Sequence, residues 1–125
     1  MPLIQIDLTR DLFETSHDAI GAAIHDAQIE VLGIPADDRF QVFRPHGAGE
    51  LKFDPGFNGV DRRDLVLIQV TAVHLYPTAT KQALFRAIAE RLGALGIRAD
   101  DIHIALTENG FEDWYAGKAV GEAAT

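Results

Sequence analysis

LGIPADD at residues 32–38 and LGIRADD at residues 95–101 are nearly the same stretch, which the chain therefore carries twice. A second pair of similar blocks stands ahead of them, with LIQI at residues 3–6 and LIQV at residues 67–70. The offsets are 95 − 32 = 63 and 67 − 3 = 64 residues. Because two separate similarities share nearly one offset, the sequence predicts a structural duplication.

The first half of the chain has the pattern of a strand, a helix and a second strand. Residues 3–8 alternate apolar and polar side chains, which is typical of a half-buried strand. Ser16 is placed to cap a helix with apolar positions at three- and four-residue spacing, and Gly33 is placed to end it. FQVF at residues 40–43 predicts the second strand. Since a helix connects them, we expect the two strands to pair in parallel.

The second half repeats this plan. Residues 65–73, LVLIQVTAV, are so apolar that they predict a central strand covered on both faces. Thr78 or Thr80 is placed to cap the second helix, and Gly96 is placed to close it. IHIAL at residues 102–106 predicts the last main strand.

Together these elements predict an α/β fold. Two duplicated β-α-β units, at about residues 2–45 and 64–107, would form a four-stranded sheet with two helices on one face, and 125 residues suit one domain. The glycine-rich residues 45–63 predict a hairpin or an ordered loop, which is a candidate oligomer arm. Because no further helix is available for the other face of the sheet, we expect other subunits to cover it in an obligate oligomer.

The composition argues against several classes of partner. The chain has 19 Asp and Glu against 11 Lys and Arg, and this net charge of −8 disfavours binding to nucleic acid. The chain has no Cys, and no two histidines have a ligand spacing, so we predict no metal and no cofactor. The sequence shows neither a signal-peptide pattern nor an apolar run long enough to span a bilayer, which predicts a cytoplasmic protein without membrane attachment.

Pro2 is the first candidate for chemistry. Removal of the initiator Met would leave a secondary amine at the start of a buried strand. An α-amino group titrates near about 8, and burial lowers that pKa further. Such an amine could act as a base near neutral pH, or as a nucleophile toward a carbonyl. The alternative is that Met-Pro is only a common way for a chain to begin.

Further blocks carry a resemblance to a known family. They are GIPADDRFQ at residues 33–41, Lys81 and Gln82 at the opening of the second helix, and TENGFEDW at residues 107–114. With Met-Pro-Leu-Ile at the start, the sequence resembles the tautomerase superfamily over nearly its whole length. Within that superfamily it is similar to the branch that contains malonate semialdehyde decarboxylase.

The resemblance implies a homotrimer with the amino-terminal proline at the base of a small pocket. It implies keto-enol tautomerisation of a small oxo acid, or a related decarboxylation or hydration, with the proline as acid, base or nucleophile. By matching positions, Pro2 is the catalytic proline and Asp38 is the family aspartate, which would orient water or the carbonyl. Trp114 matches the aromatic residue of the pocket wall.

One loop departs from the family pattern. After the third strand this branch usually supplies an arginine for the substrate carboxylate, whereas this chain reads VHLYPT at residues 73–78. His74 and Tyr76 can donate hydrogen bonds, so we expect them to bind the polar end of the substrate. The candidates to replace the arginine are Arg44, Arg62 and Arg63.

Three functional hypotheses are compatible with this sequence. The leading hypothesis is a proline-dependent enzyme that acts on a small carbonyl acid. The second is a catalytically inactive trimeric scaffold or small-ligand-binding protein of the same fold. The third is an enzyme that uses His74 as its base. Asp38 also has a structural interpretation, because Asp101 mirrors it in the repeat and Asp favours turns.

Overall fold

The chain forms two β-α-β units that follow one another. In the computed structural model, which describes residues 2–121, the first unit comprises β1 (Leu3–Thr9), α1 (Arg10–Leu32) and β2 (Gln41–His46). The second comprises β3 (Val66–Val73), α2 (Thr78–Gly93) and β4 (Ile102–Asn109). Short 3₁₀ turns lie at Phe57–Gly59, Ala99–Asp101 and Phe111–Asp113.

The four strands form one mixed sheet in the order β2-β1-β3-β4. Each unit pairs its own strands in parallel, and the two units meet where β1 lies antiparallel to β3. Gln5 faces Gln69 at the middle of that pairing, so the central glutamines of the repeated LIQ blocks lie opposite one another. An approximate twofold axis therefore relates the units, which confirms the duplicated α/β fold.

Both helices pack against the same face of the sheet. The even-numbered side chains of β1 and β3 point into this layer, and Ile6, Val66 and Ile68 are completely buried there. Ile24 of α1 and Ile88 of α2 are also completely buried. Each such side chain contributes roughly 1.5–3 kcal/mol through burial, so this layer holds the two units together.

The helix boundaries differ from the sequence prediction at two ends. The predicted cap at Ser16 is wrong, because α1 begins at Arg10 and the Thr9 side-chain oxygen accepts a hydrogen bond from the Leu12 backbone N–H at 3.3 Å. Gly33 does end α1, with a left-handed φ of 69°. In the second unit α2 begins at Thr78, and its N-cap is Pro77 without a side-chain hydrogen bond, so the predicted cap at Thr78 or Thr80 is wrong as well. The helix ends at Gly93, ahead of Gly96.

The other face of the sheet carries a mixture of side chains. The prediction that β3 is apolar on both faces is wrong at Gln69 and Thr71, which alternate with Leu67 and Val73 on this uncovered side. Val42 of β2 lies on the same side and is 44% exposed. Between β2 and β3 the chain forms an ordered loop around the turn Phe57–Gly59 rather than a hairpin.

Candidate active site

Pro2 lies buried at one end of the sheet. Leu3 pairs with Thr71, and continuing this antiparallel register by one residue sets Pro2 opposite Ala72, near the end of β3. Three connections meet at this end: residues 33–40 after α1, residues 74–77 before α2, and the turn after β4. Pro2, Asp38, Tyr76 and the 107–114 block therefore lie at one edge of the fold.

A small cavity opens beside Pro2. Its volume is about 130 Å³, and its lining consists of Pro2, Ala72, Val73, Leu75, Tyr76 and Phe111. A water molecule occupies roughly 30 Å³ in the liquid, so the space corresponds to about four water-sized groups. Two of the predicted site residues, Pro2 and Tyr76, thus share this cavity.

Tyr76 is the polar side chain among these lining residues. Burial raises the pKa of its phenol above the ordinary 10.0, and the negative charge of Asp38 raises that pKa further. Tyr76 is therefore neutral near pH 7, and its O–H is available to donate a hydrogen bond. Asp38 is half-buried and near enough for its charge to act on Tyr76, although it does not line the cavity.

Phe111 is a lining residue that the sequence analysis missed. It begins the short turn directly after β4, where the Gly110 N–H donates to the Asp113 carboxylate at 2.9 Å. The signal for it was an aromatic residue that accompanies Trp114 in the turn-rich ENGFEDW block. Nothing in the local pattern showed that this turn folds back over Pro2.

Trp114 stands behind this turn rather than in the cavity lining. Its indole Nε1–H donates to the side-chain oxygen of Asn109 at 2.5 Å, and its backbone N–H donates to the Phe111 carbonyl at 3.2 Å. In this structure the contacts of Trp114 therefore fix the turn that carries Phe111.

His74 also points away from the cavity lining. Its ring is 77% exposed, and Nδ1 lies against the Oε2 atom of Glu108, near the end of β4. Lys81, in the first turns of α2, contacts the other oxygen of the same carboxylate. His74, Glu108 and Lys81 form a polar cluster beside the cavity. Glu108 is not among the site residues predicted from the sequence.

The candidate replacement arginines lie elsewhere in the chain. Arg44 is 3.5 Å from the Asp7 carboxylate, and Asp7 stands five residues beyond Pro2 on β1, or roughly 16 Å along the strand. Arg62 donates to the Phe57 carbonyl at 2.8 Å, and Arg63 pairs with Asp61 at 2.8 Å. Within residues 2–121 of one chain, none of these three arginines lines the Pro2 cavity.

A larger hollow lies at the opposite end of the sheet. It has a volume of about 420 Å³, and its charged lining residues include Arg10, Asp11, Arg63 and Asp64. The two cations and two carboxylates compensate one another, and the hollow lies at the end of the sheet away from Pro2. The smaller cavity is therefore the better candidate for chemistry.

Neither a membrane-crossing helix nor a metal cluster is found in the described part of the chain. Its helices are too short or too polar to cross a membrane. Among these residues, no three His, Asp or Glu side chains converge in a way that could hold a metal ion.

Comparison with known proteins identifies the family to which this fold belongs. Two family models described as tautomerase enzyme match residues 38–117 and 2–51. The probable tautomerase YusQ of Bacillus subtilis (strain 168) is 38% identical over 119 residues, which cover 94% of each chain. The protein belongs to the tautomerase family.

Two solved structures extend this comparison. FG41 malonate semialdehyde decarboxylase inhibited by 3-bromopropiolate is 40% identical with a TM-score of 0.85, and the match covers 90% of this chain and 87% of that one. A fused 4-OT in the form of a symmetric trimer is 19% identical with a TM-score of 0.79, covering 98% and 97% of the two chains. The second match shows a shared fold alone.

Proposed function

We propose that the protein is a proline-dependent enzyme that acts on a small carbonyl acid by keto-enol tautomerisation, or by a related decarboxylation or hydration. The observation that carries this proposal is the burial of Pro2 at a cavity that it shares with the neutral phenol of Tyr76. The similarity to a malonate semialdehyde decarboxylase supports a short oxo acid as the substrate class.

Pro2 would supply the reacting nitrogen once Met1 has been removed. As a free amine it could take a proton from the carbon next to a carbonyl, and as an ammonium group it could return one. The same amine could attack a carbonyl carbon to form an iminium ion, with loss of water. The apolar lining from Val73, Leu75 and Phe111 would disfavour the charged form relative to water, which brings both the amine and the ammonium form within reach near neutral pH.

The remaining predicted residues would surround the substrate. The Tyr76 O–H would donate to the carbonyl or carboxylate oxygen, and Asp38 would orient water or the carbonyl from behind Tyr76. Trp114 would keep Phe111 over the cavity. His74 would contact the polar end of a substrate that extends out of the cavity.

The size of the cavity restricts the substrate. A space of about 130 Å³ suits a three- or four-carbon acid such as pyruvate, whereas an aryl oxo acid would have to extend out of it. We therefore expect pyruvate to be trapped more efficiently than phenylpyruvate.

The test combines mass spectrometry with trapping. The intact mass should show loss of Met1, and sodium borohydride with pyruvate should add one substrate-derived group that peptide mapping places on Pro2. Pro2→Ala replaces the rigid secondary amine with a freely rotating primary amine, so it should form the adduct less efficiently. It should also lose about 100-fold in the enolisation rate, because misplacing a reacting group by about 1 Å can cost this much. Retained Met1, or an unchanged enolisation rate in Pro2→Ala, would refute the proposal and favour an inactive scaffold or ligand-binding protein.

We also propose that the protein is a homotrimer, in which other subunits cover the open face of the sheet. The mixed face around Val42 supports this assembly, and a fused 4-OT with the same fold is a symmetric trimer. Val42→Glu should lower the mass measured by light scattering. Leu95→Glu is the matched control, because Leu95 is also 44% exposed but lies in the turn after α2. A wild-type monomer at micromolar concentration would contradict the assembly.

A further inference from the structure

Glu108 holds two cationic or ionisable side chains at the mouth of the candidate site. Its Oε1 atom contacts the Lys81 ammonium from α2, and its Oε2 atom lies against Nδ1 of His74 from the loop after β3. The side chains of Glu108 and Lys81 are only 21% and 22% exposed, whereas that of His74 is 77% exposed. Glu108 and Lys81, which are both well packed, therefore hold one edge of the otherwise exposed His74 ring.

The sheet register brings this cluster close to Pro2. Pro2 stands opposite Ala72, and Ala72 pairs with Glu108 on β4, so the three residues form one row across the face that the helices cover. Neighbouring strands lie about 4.8 Å apart, which sets the Pro2 and Glu108 backbones roughly 10 Å apart. Ala72 between them has the smallest side chain that a chiral residue can offer, and it lines the cavity.

His74 is next to the cavity along the chain as well. Its neighbours Val73 and Leu75, and then Tyr76, line the cavity, while its own ring stands outside. Because the cavity holds about four water-sized groups, part of any larger acid must extend out of it. An extending substrate oxygen would meet the His74 ring.

The position of the Glu108 carboxylate beside Nδ1 favours one tautomer of the neutral His74 ring. A carboxylate oxygen accepts a hydrogen bond only from a nitrogen that bears a proton, so the favoured tautomer has the proton on Nδ1 and the lone pair on Nε2. The charged or titratable groups around the ring are Glu108 from β4 and Lys81 from α2, with Tyr76 on the same loop and Asp38 acting on Tyr76. The ring is exposed, so Nε2 remains available to a substrate.

We propose that His74 is a second proton-transfer group of the enzyme and that Glu108, anchored by Lys81, is the residue that positions it. In the enol-to-keto direction Nε2 takes the proton of the enol oxygen, and that O–H bond breaks as the C=O bond forms. The ammonium form of Pro2 gives its proton to the neighbouring carbon, where a C–H bond forms from the C=C electron pair. The imidazolium then returns its proton to the Pro2 amine through water, which restores both groups without any redox change.

This inference rests on the proposed function, and kinetics separate the two. With phenylpyruvate, which extends out of the cavity, His74→Ala should lower kcat for enolisation about 100-fold with little change in KM, and should remove one limb of the pH-rate profile. Glu108→Gln should lower kcat roughly 10- to 100-fold, because misplacing a reacting group by about 1 Å can cost this much. In Glu108→Gln the limb of the pH-rate profile that His74 contributes should move to lower pH, because the carboxylate that stabilises the imidazolium is gone.

Glu30→Gln is the matched control. Glu30 pairs with Arg91 at 2.9 Å on the outer surface of the helices, so its loss should leave the rate and the pH profile unchanged. If His74→Ala keeps the wild-type kcat and pH profile while Pro2→Ala is inactive, the role of His74 is refuted and the proposed function stands. If Pro2→Ala keeps the wild-type rate, the proposed function fails instead.

A second measurement tests the arrangement of the ring without any activity assay. Long-range ¹H–¹⁵N correlation spectra of protein labelled on histidine report which ring nitrogen carries the proton, and His74→Ala assigns the signal. We expect the Nδ1–H form in the wild type and a mixture of both forms in Glu108→Gln. A wild-type His74 with its proton on Nε2 would overturn the inference.

Discussion

Replacing Asp101 with Asn should lower the free energy of unfolding by about 2 kcal/mol, whereas the same change at the mirrored Asp38 should lower it by less than about 1 kcal/mol. Asp101 is 3% exposed, and its Oδ1 accepts hydrogen bonds from the Arg63 backbone N–H at 2.8 Å and from Arg98 Nη1 at 3.1 Å. A hydrogen bond to a charged group is worth about 1.5–3 kcal/mol and a neutral one about 0.5–1.5 kcal/mol. The bond from the Arg63 N–H becomes a neutral one in Asp101→Asn, which costs about 1 kcal/mol, and the ion pair with the partly exposed Arg98 is lost, which costs up to about 1 kcal/mol more.

Asp38→Asn should lower the catalytic activity more than the stability, which is the opposite of the effect expected for Asp101→Asn. It is half-buried, so water screens its charge and its removal costs little stability. Because its charge acts on Tyr76 in the cavity, Asp38→Asn should lower kcat/KM roughly 10- to 100-fold through misplacement of the substrate. Asp101→Asn should keep the wild-type kcat/KM, since Asp101 precedes β4 at the far end of the sheet.

Urea unfolding followed by circular dichroism, at one fixed protomer concentration, measures the first quantity. Steady-state enolisation of a small oxo acid measures the second. Equal losses of stability at the two positions would refute the reasoning. A larger loss of kcat/KM in Asp101→Asn than in Asp38→Asn would refute it equally.

Two further predictions concern Tyr76 and the helix glycines. Because the pKa of Tyr76 is higher in the folded chain than the ordinary 10.0, unfolding should become easier as the pH rises above about 10, and Tyr76→Phe should remove this part of the pH dependence. Asp38→Asn should lower the pKa of Tyr76 while burial keeps it raised, as phenolate absorbance would show. Gly93→Ala should raise the unfolding free energy by roughly 0.5–1 kcal/mol, since the position is helical and a Cβ meets nothing within 4 Å. Gly21→Ala should raise it by less, because the new Cβ would displace the ends of the Gln41 and Arg39 side chains, which lie 2.7 and 2.8 Å from it, and thermal unfolding of the pair would show the difference.

The four strands, the two helices and the parallel pairing within each unit could be predicted from the sequence, because the chain repeats one β-α-β plan, whereas the antiparallel pairing of β1 with β3 could not. The two LIQ blocks pair around Gln5 and Gln69, and the two helices follow from the periodicity of their apolar residues. The start of α1 was less well determined, since Thr9 and Ser16 have equivalent side chains for capping. The structure favours Thr9, because β1 runs directly into the helix there.

The site could be predicted only in part, because the directions in which its side chains point depend on contacts with residues distant in sequence. Pro2 and Tyr76 come together through the β1–β3 register, which the structure shows and the repeat by itself does not specify. His74 turns away from the cavity because Glu108 lies 34 residues further along the chain (108 − 74 = 34), on a different strand. No local pattern shows such a pairing, and the same holds for the turn that brings Phe111 over Pro2.

The two halves differ most where the site lies, and the difference has an identifiable cause. With an offset of 64, residues 74–77 correspond to residues 10–13 (74 − 64 = 10), which form the first turn of α1. In the second half these residues are a loop, and Pro77 stands at the N-cap of α2 in an extended conformation with φ −69° and ψ 161°. A residue that precedes proline is disfavoured in the α conformation, so Pro77 keeps Tyr76 out of the helix. The unwound turn lets Leu75 and Tyr76 reach Pro2 and sends His74 to Glu108. One proline in the second copy therefore accounts for why this end of a nearly symmetric fold has a cavity that Tyr76 lines.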